Sequence, residues 1–222
     1  MASSERSFAN RPMAKPPLPI FFVVVLLVVA PPLLTSAAAL ACDLSLVAPA
    51  NSVLKKPVQV RASLAGDNLI ASYSVTAPLN ARRVLGPQQY PYMFDVVELF
   101  VTFSETGFPY YEFEVSPYNQ TFQIRIVGPT QHQEGVDLGL VSSAAIMPDG
   151  WSAQMKIPLM PLGWGGDPRQ IRGNFYSTLE RAPRSYWSSF LPSAKKPNFH
   201  QPEFFKPFPL NDTSSVKSVP KV

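Results

Sequence analysis

Apolar and polar residues alternate along most of the chain after residue 57. A period of two places successive side chains on opposite faces of a strand, so each such run predicts a half-buried β-strand. No stretch beyond the N-terminal segment keeps a helical period. The pattern therefore predicts an all-β fold. The predicted strands cover residues 58–64, 69–75, 97–103, 111–115, 122–126, 151–157, 171–180 and, more weakly, 185–190.

Turn residues separate the predicted strands. Gly66-Asp67-Asn68 follows the first one, and the short link Ser-Pro-Tyr-Asn at 116–119 predicts a hairpin between its flanking strands. The 25 prolines fall mostly between strands, where a missing amide proton does least harm. Short strands at this spacing predict a single β-sandwich of jelly-roll type over residues 42–210. The polar tail, residues 211–222, is expected to be disordered.

The first 41 residues have the order of segments that is typical of a signal peptide. Basic residues come first, an unbroken apolar run covers residues 20–30, and small residues continue to Ala41. The run is shorter than the roughly 20 residues of a membrane-spanning helix, although counting through to Ala41 leaves an uncleaved anchor as an alternative. We therefore expect an exported protein, in the cell envelope or secreted.

Cys42 is the only cysteine in the chain, so an internal disulfide is excluded. It follows Ala39-Leu40-Ala41, and the sequence Ala-Leu-Ala-Cys resembles the lipobox of bacterial lipoproteins, in which this cysteine carries the lipid. Ala39 departs from the leucine that is commonest there. We predict lipidation of Cys42 and attachment to a bacterial membrane. The alternative is ordinary cleavage after Ala41, with Cys42 incidental.

The charge of the chain gives no reason to expect a nucleic-acid partner. The net charge is +4, and the predicted signal carries Glu5, Arg6, Arg11 and Lys15, so its removal leaves +2. The remaining Lys and Arg residues form no dense cluster. A protein that binds nucleic acid through phosphate contacts usually shows a basic patch or stripe.

Five motifs follow one another along residues 45–210: FDVVELFVTF, YYEFEVSPYNQTFQIRI, GWSAQMKIPLMPLG, IRGNFYSTLE and YWSSFLPSAKKPNFHQPEFF. In this order they resemble the family 9 carbohydrate-binding modules and the related DOMON-like domains, with Ser177 where arginine is common. The resemblance implies a jelly-roll-like sandwich that binds a ligand and performs no chemistry. Characterised members bind sugars, and some DOMON domains bind haem.

A sugar-binding site needs exposed aromatic side chains, because the apolar face of a pyranose ring packs on them. Trp187 alternates with serines, which predicts that its ring faces outward while Tyr186 and Phe190 face the core. Trp164 lies in a Gly-rich loop, where exposure is also expected. Trp151 shares its face with apolar residues and is predicted to be in the core.

The polar face of the predicted strand 171–180 is the most ligand-like row in the chain. The alternative is an ordinary solvated face. From this row and the two outward tryptophans we predict a concave aromatic and polar site for carbohydrate. Its predicted residues are Trp187, Trp164, Arg172, Asn174, Tyr176 and Glu180.

Carboxylates on the strands could act as a pair in glycoside hydrolysis. The candidates are Glu98, Glu112, Glu114 and Glu180, and the second and third point to the same face. Strand carboxylates that point outward are usually the solvated side of a half-buried sheet. No nucleophile elbow, HExxH motif or Gly-rich phosphate loop is present. We therefore expect no enzymatic activity.

The chain has few residues that could bind a metal or haem. His132 and His200 are its only histidines, and either could pair with Met93 as axial ligands of haem. Calcium remains an open expectation, with turn residues as its candidate ligands. These are Asp67, Asp95 and Asp149.

The C-terminal end of the predicted domain reads as a strap that closes the sandwich edge. Phe199, Phe204 and Phe205 would cover that edge, and His200 would fix it through a hydrogen bond. The alternatives to sugar binding are a structural or protein-interaction module of the envelope without a sugar site and, less favoured, a haem-binding DOMON domain.

Overall fold

Two antiparallel β-sheets stack face to face in the computed structural model of the chain. The structure describes residues 40–47, 58–77, 79, 85–86, 89–180, 184–190 and 198–212. Within these residues the strands are β1 (Leu40–Ser45), β2 (Val58–Ala65), β3 (Asn68–Val75), β4 (Val96–Thr102), β5 (Tyr110–Val115), β6 (Thr121–Gly128), β7 (Gln131–Glu134), β8 (Val141–Met147), β9 (Gly150–Pro158), β10 (Arg172–Leu179), β11 (Ser185–Ser188), β12 (Lys206–Pro207) and β13 (Asn211–Asp212).

The strand order defines two sheets. Sheet 1 has the order β13-β1-β2-β3-β9-β8, and sheet 2 has the order β11-β10-β4-β5-β6-β7, with β12 paired to β10. Four short 3-10 helices connect strands in the described residues, at Pro91–Met93, Met160–Leu162, Pro168–Gln170 and Pro202–Phe204. The all-β sandwich predicted from the alternation is confirmed. None of the helical segments in the described residues has the length and apolar character that a membrane crossing requires.

The predicted hairpin is present, because β5 pairs with β6 in antiparallel register from Tyr110↔Ile126 to Val115↔Thr121. Each alternating run became a strand. Strands β7 and β8 were not predicted, because they lack the buried alternate residues that mark a strand: β7 is fully exposed and β8 is largely exposed. A strand at the edge of a sheet needs no apolar face to be held in place by its neighbour.

One apolar core fills the space between the sheets. Leu99 of β4, Phe113 of β5 and Phe175 of β10 point into it from sheet 2 and are completely buried. Trp151 of β9 enters from sheet 1 and is likewise fully buried, as predicted. Burial of such large side chains supplies most of the driving force for folding of a sandwich.

The two ends of the predicted domain differ from expectation at their boundaries. β1 begins at Leu40 and β13 pairs Asn211 with Ala41, so two residues of the expected disordered tail are in a strand pair. Cys42 faces the core and is 8% exposed. Residues 1–39 and 213–222 lie outside the described residues, and so do most of the predicted signal peptide and tail.

Candidate functional site

The outer face of sheet 2 is buried although it points away from the core. The residues that alternate with the inward ones on β4, β5 and β10 include Phe100, Tyr110 and Tyr176, each no more than 2% exposed. They form a second cluster with Ile124, Ile126 and Phe205. A face of this kind requires a covering segment, because apolar side chains of that size are otherwise left in water.

The cover is the segment 198–205, named here the closing strap. Phe199 stacks on Tyr176 with ring centroids 4.1 Å apart, and Phe205 meets Tyr110 edge to face at 5.2 Å. The Nδ1 atom of His200 is 2.8 Å from the hydroxyl oxygen of Tyr110. The strap therefore lies on the outer face of sheet 2. The prediction that it closes an edge of the sandwich is wrong.

Beside the strap a cavity of about 750 Å³ opens on the same face. Glu98 and Glu112, from the two central strands of sheet 2, lie among its lining residues. Its volume is within the range of small-molecule sites in proteins. The residues that line it are Tyr92, Glu98, Phe108, Tyr110, Glu112, Phe122, Ile124, Ile126, Gly128, Pro129, Thr130, Gln131, His132, Glu134, Thr178, Arg184, Tyr186, Asn198, Phe199, His200, Pro202 and Glu203.

Aromatic rings stand on both flanks of the cavity. Tyr186 lies on β11 and Phe122 on β6, and the order of the sheet places these strands on opposite sides of the central pair β4 and β5. Tyr92 joins Phe122 at a centroid distance of 6.0 Å and is 40% exposed. Phe199 meets Tyr186 edge to face at 6.1 Å. The cavity is therefore flanked by partly exposed rings.

Three glutamates meet under the cavity. Glu98 projects from β4, and Glu112 and Glu114 project from neighbouring positions on the same face of β5, where Glu98 pairs with Glu114. One carboxylate oxygen from each lies within 4.8 Å of the other two. They are 3%, 4% and 0% exposed. The sequence-based interpretation of these carboxylates as a solvated face is wrong, because the strap and the cavity walls exclude solvent from them.

Burial raises the pKa of all three carboxyl groups, and burial is the largest cause for each. The pKa values of Glu98 and Glu114 lie well above the ordinary value. The neighbouring carboxylates raise both further, because like charges in a buried site disfavour ionisation. Burial also raises the pKa of Glu112, although a hydrogen bond with Glu114 and the charge of His200 act to lower it.

Among the described residues, few groups stabilise the ionised form of this triad. The hydroxyl of Thr178 donates to Glu98 at 3.3 Å, and the backbone N–H of Tyr92 donates to Oε2 of Glu114 at 3.0 Å. Nε2 of His200 is 3.8 Å from Glu112. The guanidinium of Arg184 donates to the backbone carbonyl of Tyr92, and its charge acts on Glu98 at longer range.

The two tryptophans predicted to be exposed are buried. Trp187 is 2% exposed and Trp164 is 5% exposed, and both belong to the core between the sheets. Trp187 pairs across the sheet with Ser177, whose phase on β10 is the inward one. Tyr186 consequently faces outward, into the lining of the cavity. The predicted phase of this strand was therefore reversed, because alternation alone does not say which set of residues faces in.

Trp164 is held by its own loop. Its indole N–H donates to the backbone carbonyl of Asp167 at 2.9 Å. The ring packs into the core, while the charged end of the loop carries the ion pair of Asp167 with Arg169, exposed at the Arg169 end. The Gly-rich sequence supplied a turn that folds the indole inward, and the expectation of an exposed ring in this loop is wrong.

The predicted polar row is on the outer face but does not line the cavity. Asn174 is fully buried and its side chain bonds the backbone of Phe190 through both ends. Tyr176 is fully buried beneath Phe199. Arg172 donates to the carbonyl of Phe205 at 3.3 Å. These polar groups anchor the segments that cover the sheet, which is why they are unavailable as a ligand surface.

Glu180 lies apart from the cavity, with Asp95 in the lining of a separate small pocket. The backbone N–H of Glu180 donates to the carboxylate of Asp95 at 2.7 Å. The sequence-based site residues therefore do not assemble into one site. Thr178, which was not among the predicted site residues, is the residue on the outward phase of β10 that lines the cavity.

The candidate calcium ligands do not come together, and the candidate haem ligands lie only partly in the cavity lining. His132 and His200 both line the cavity, whereas Met93 is outside that lining. The three turn aspartates belong to no metal-sized group in the described residues, where the single group of this kind is the glutamate triad.

The residues that sequence reasoning missed are those of the cavity itself. Tyr92, Arg184 and His132 come from loops and edge segments where no alternation exists. Glu98 and Glu112 were considered from the sequence, and the signal that could have identified them is their position inside two of the motifs that resemble those of family 9 modules. Acidic residues on adjacent strands that also carry large apolar residues on the same phase indicate a buried face.

Known structures share this fold. A candidate carbohydrate-binding protein from Bacteroides uniformis superposes with a TM-score of 0.57 at 20% identity, covering 74% of this chain and 83% of that one. A family 9 carbohydrate-binding module from Caldicellulosiruptor kristjanssonii, in complex with glucose, has a TM-score of 0.51 at 14% identity, covering 73% and 82%. No family model and no curated protein matches the chain. The resemblance predicted from the motifs is confirmed for the fold.

Proposed function

We propose that this protein binds carbohydrate in the cavity on the outer face of sheet 2. The observation that carries the proposal is the pairing of aromatic flanks with a polar floor in one cavity of about 750 Å³. Sugars require both features, because their C–H faces pack on rings while their hydroxyls need fixed hydrogen-bond partners. The glucose complex of a family 9 module with the same fold supports this ligand class.

The cavity offers each part of a sugar a partner of suitable chemistry. Tyr92 and Tyr186 supply ring faces that are partly exposed. Glu98 and Glu112 accept hydrogen bonds from hydroxyl groups, and Arg184 donates them. Binding of this kind involves no bond cleavage, so the proposal is a ligand-binding module without catalytic action.

Two tyrosine variants test the site. Tyr92→Ala and Tyr186→Ala each remove a flanking ring, and each should weaken sugar binding about tenfold, which corresponds to about 1.4 kcal/mol. A glycan array first identifies the sugars that bind, and isothermal titration calorimetry then gives the dissociation constants of the wild type and the variants.

Tyr118→Ala provides the matched control, because Tyr118 is a half-buried tyrosine that lies outside the cavity lining. Its affinity for sugar should equal that of the wild type. If no glycan binds, or if the Tyr118 variant loses as much affinity as the other two, the cavity is not a sugar site. An envelope module for protein contacts would then be the better interpretation.

We further propose that the protein is exported and anchored to the bacterial envelope by a lipid on Cys42. The support is the order of basic, apolar and small residues before a lipobox-like sequence. Cys42 faces the core in the described structure, so a lipid on its sulfur requires the start of β1 to leave the sheet. Mass spectrometry of the protein from its native membrane fraction should show a lipidated Cys42 at the N-terminus, and an unmodified thiol there would contradict the anchor.

A further inference from the structure

The glutamate triad has an electrostatic imbalance that the described residues do not correct. Three carboxyl groups converge within a buried region, and among the described residues no Lys or Arg forms an ion pair with any of them. The Nε2 atom of His200 is 3.8 Å from Glu112, and the side chain of His200 is 54% exposed. Burying several carboxyl groups without compensation is strongly unfavourable.

Glu114 carries a second and independent sign that a partner is missing. Its side chain is completely buried, and Oε2 receives the N–H of Tyr92. Oε1 is buried and has no hydrogen-bond partner. Buried polar atoms almost always have a partner in folded proteins. Besides the N–H of Tyr92, the side-chain partner of the Glu114 carboxyl is Glu112, itself a buried carboxyl. No described residue outside the triad pairs with Oε1, which points to an occupant other than these residues.

The spacing of the oxygens indicates which occupant fits. Oxygen ligands of Ca²⁺ lie at about 2.3–2.6 Å, so two ligands of one ion are up to about 5 Å apart, whereas the shorter bonds of Mg²⁺ limit this separation to about 4.2 Å. The triad offers one oxygen from each residue with all separations within 4.8 Å. These separations are compatible with ligation of one cation by all three residues. A buried site made of carboxylates suits Ca²⁺, which accepts flexible oxygen coordination, better than Mg²⁺, which usually keeps several of its waters.

We propose that Glu98, Glu112 and Glu114 bind one divalent cation, with Ca²⁺ favoured over Mg²⁺, beneath the floor of the cavity. The ion would balance two of the three negative charges, and the long-range field of Arg184 would offset part of the third. Glu98 and Glu112 also line the cavity, so the ion would fix the orientation of the two carboxylates that a ligand meets. This site is separate from the turn aspartates considered from sequence.

The test uses the full chain after treatment with a chelator, in the absence of sugar. Ca²⁺ is titrated by calorimetry, and Tb³⁺ is added as a luminescent probe that the neighbouring Tyr110 can sensitise. We expect a single binding event for Ca²⁺, a weaker one for Mg²⁺, a higher midpoint of thermal unfolding with Ca²⁺, and Tb³⁺ emission that Ca²⁺ displaces.

Variants locate the ion. Glu114→Gln should weaken Ca²⁺ binding by at least about tenfold, since loss of a direct ligand exceeds the usual effect of outer-shell changes. Glu98→Gln gives the same test if the first variant does not fold. Glu134→Gln is the control, because it removes an exposed acid from the cavity rim without touching the triad, and it should bind Ca²⁺ like the wild type.

Two results would overturn the proposal. One is the absence of both binding heat and Tb³⁺ emission at millimolar concentrations of cation. The negative charge of the triad would then be neutralised by protons that the carboxyl groups share, and not by a metal ion. The other is unchanged Ca²⁺ affinity in both Glu114→Gln and Glu98→Gln, which would place the ion elsewhere. Neither result affects the sugar measurements, which are made separately on the tyrosine variants.

Discussion

The two faces of sheet 2 use the same strands, but different interactions fill them. On the inner face, Leu99, Phe113 and Phe175 pack with Trp187 against the other sheet. On the outer face, aromatic rings of the same size are covered by the closing strap. The inner face is a conventional dry core, and its residues gain stability from close packing.

The outer face mixes its rings with ionisable groups. The triad is next to Tyr110 and Tyr176, and burial raises the pKa of both tyrosines as well. Interactions that place ionisable groups in a dry region cost stability, and such groups concentrate at functional sites. The comparison teaches that alternation identifies strands, whereas the proposed ligand site lies on the face where burial and ionisable groups coincide.

The largest loss of stability should come from truncating the inward one of two neighbouring aromatic residues on β11, Trp187 and Tyr186. Trp187→Ala removes a buried indole from the inner face and should lower the free energy of unfolding by about 3–5 kcal/mol, measured by urea denaturation. Tyr186→Ala changes the outer face, and should cost less than about 1 kcal/mol while weakening sugar binding. A Trp187 variant that is as stable as the wild type would contradict the inward phase of β11.

Asn174 tests how firmly the covering segment is attached. Its amide accepts from the N–H of Phe190 at 3.0 Å, donates to the carbonyl of the same residue at 2.7 Å, and donates to the hydroxyl of Tyr176. Asn174→Ala leaves these buried groups unpaired and should cost about 2–3 kcal/mol. Thermal and urea unfolding measure the loss.

Asn68→Ala is the matched control, because the amide of Asn68 makes one weak bond of 3.4 Å at an exposed turn. It should change stability by less than about 0.5 kcal/mol. Equal losses in the two variants would mean that the hydrogen bonds of Asn174 add no more to the free energy of unfolding than an exposed turn contact does. The ligand role first assigned to this residue should then be reconsidered.

The sequence was sufficient for the architecture and insufficient for the site. Period-two runs located β2 to β6 and β9 to β11, since a strand with one buried face leaves that signature. For β11 the same signature was read with the wrong phase, because Trp187 and Tyr186 are both aromatic and the flanking serines are equally compatible with either side. Their direction is decided by pairing with β10, which is a tertiary property.

The cavity could not be predicted from local pattern for a related reason. Its lining joins strand residues with loop residues such as Tyr92 and Arg184, and with a strap that is distant in sequence. The polar row on β10 was correctly placed on the outward phase, but the strap and the chain near Phe190 occupy it. Which part of a face remains open depends on where the covering segments end.

The pH dependence of stability separates the two faces further. Without bound cation, the raised pKa values of Glu98 and Glu114 mean that the folded chain holds protons which the unfolded chain has released. This contribution is complete below the ordinary pKa of 4.5 and is lost as pH rises through the raised values. One proton corresponds to a slope of about 1.4 kcal/mol per pH unit.

Urea unfolding in chelator between pH 4.5 and 8 measures this slope. Glu114→Gln should flatten it, because the amide does not titrate. Addition of Ca²⁺ should raise stability most at the upper end of the range, where the carboxylates are ionised. A slope that is the same in Glu114→Gln and the wild type would show that the triad does not exchange protons on folding.

The smallest effect is expected where the strap meets solvent. His200→Ala removes the hydrogen bond with Tyr110 and a ring contact with Phe100 at 5.3 Å, and because the side chain is 54% exposed the loss should be only about 1 kcal/mol. His132→Ala is the control, since His132 is equally exposed and its nearest charged partner, Glu134, is also at the surface. Hydrogen exchange along residues 198–205 should accelerate in the first variant alone. Equal exchange in both would show that the strap is held by its aromatic rings, with no contribution from the histidine, and the outer face would then resemble the inner one more closely than its hydrogen bonds suggest.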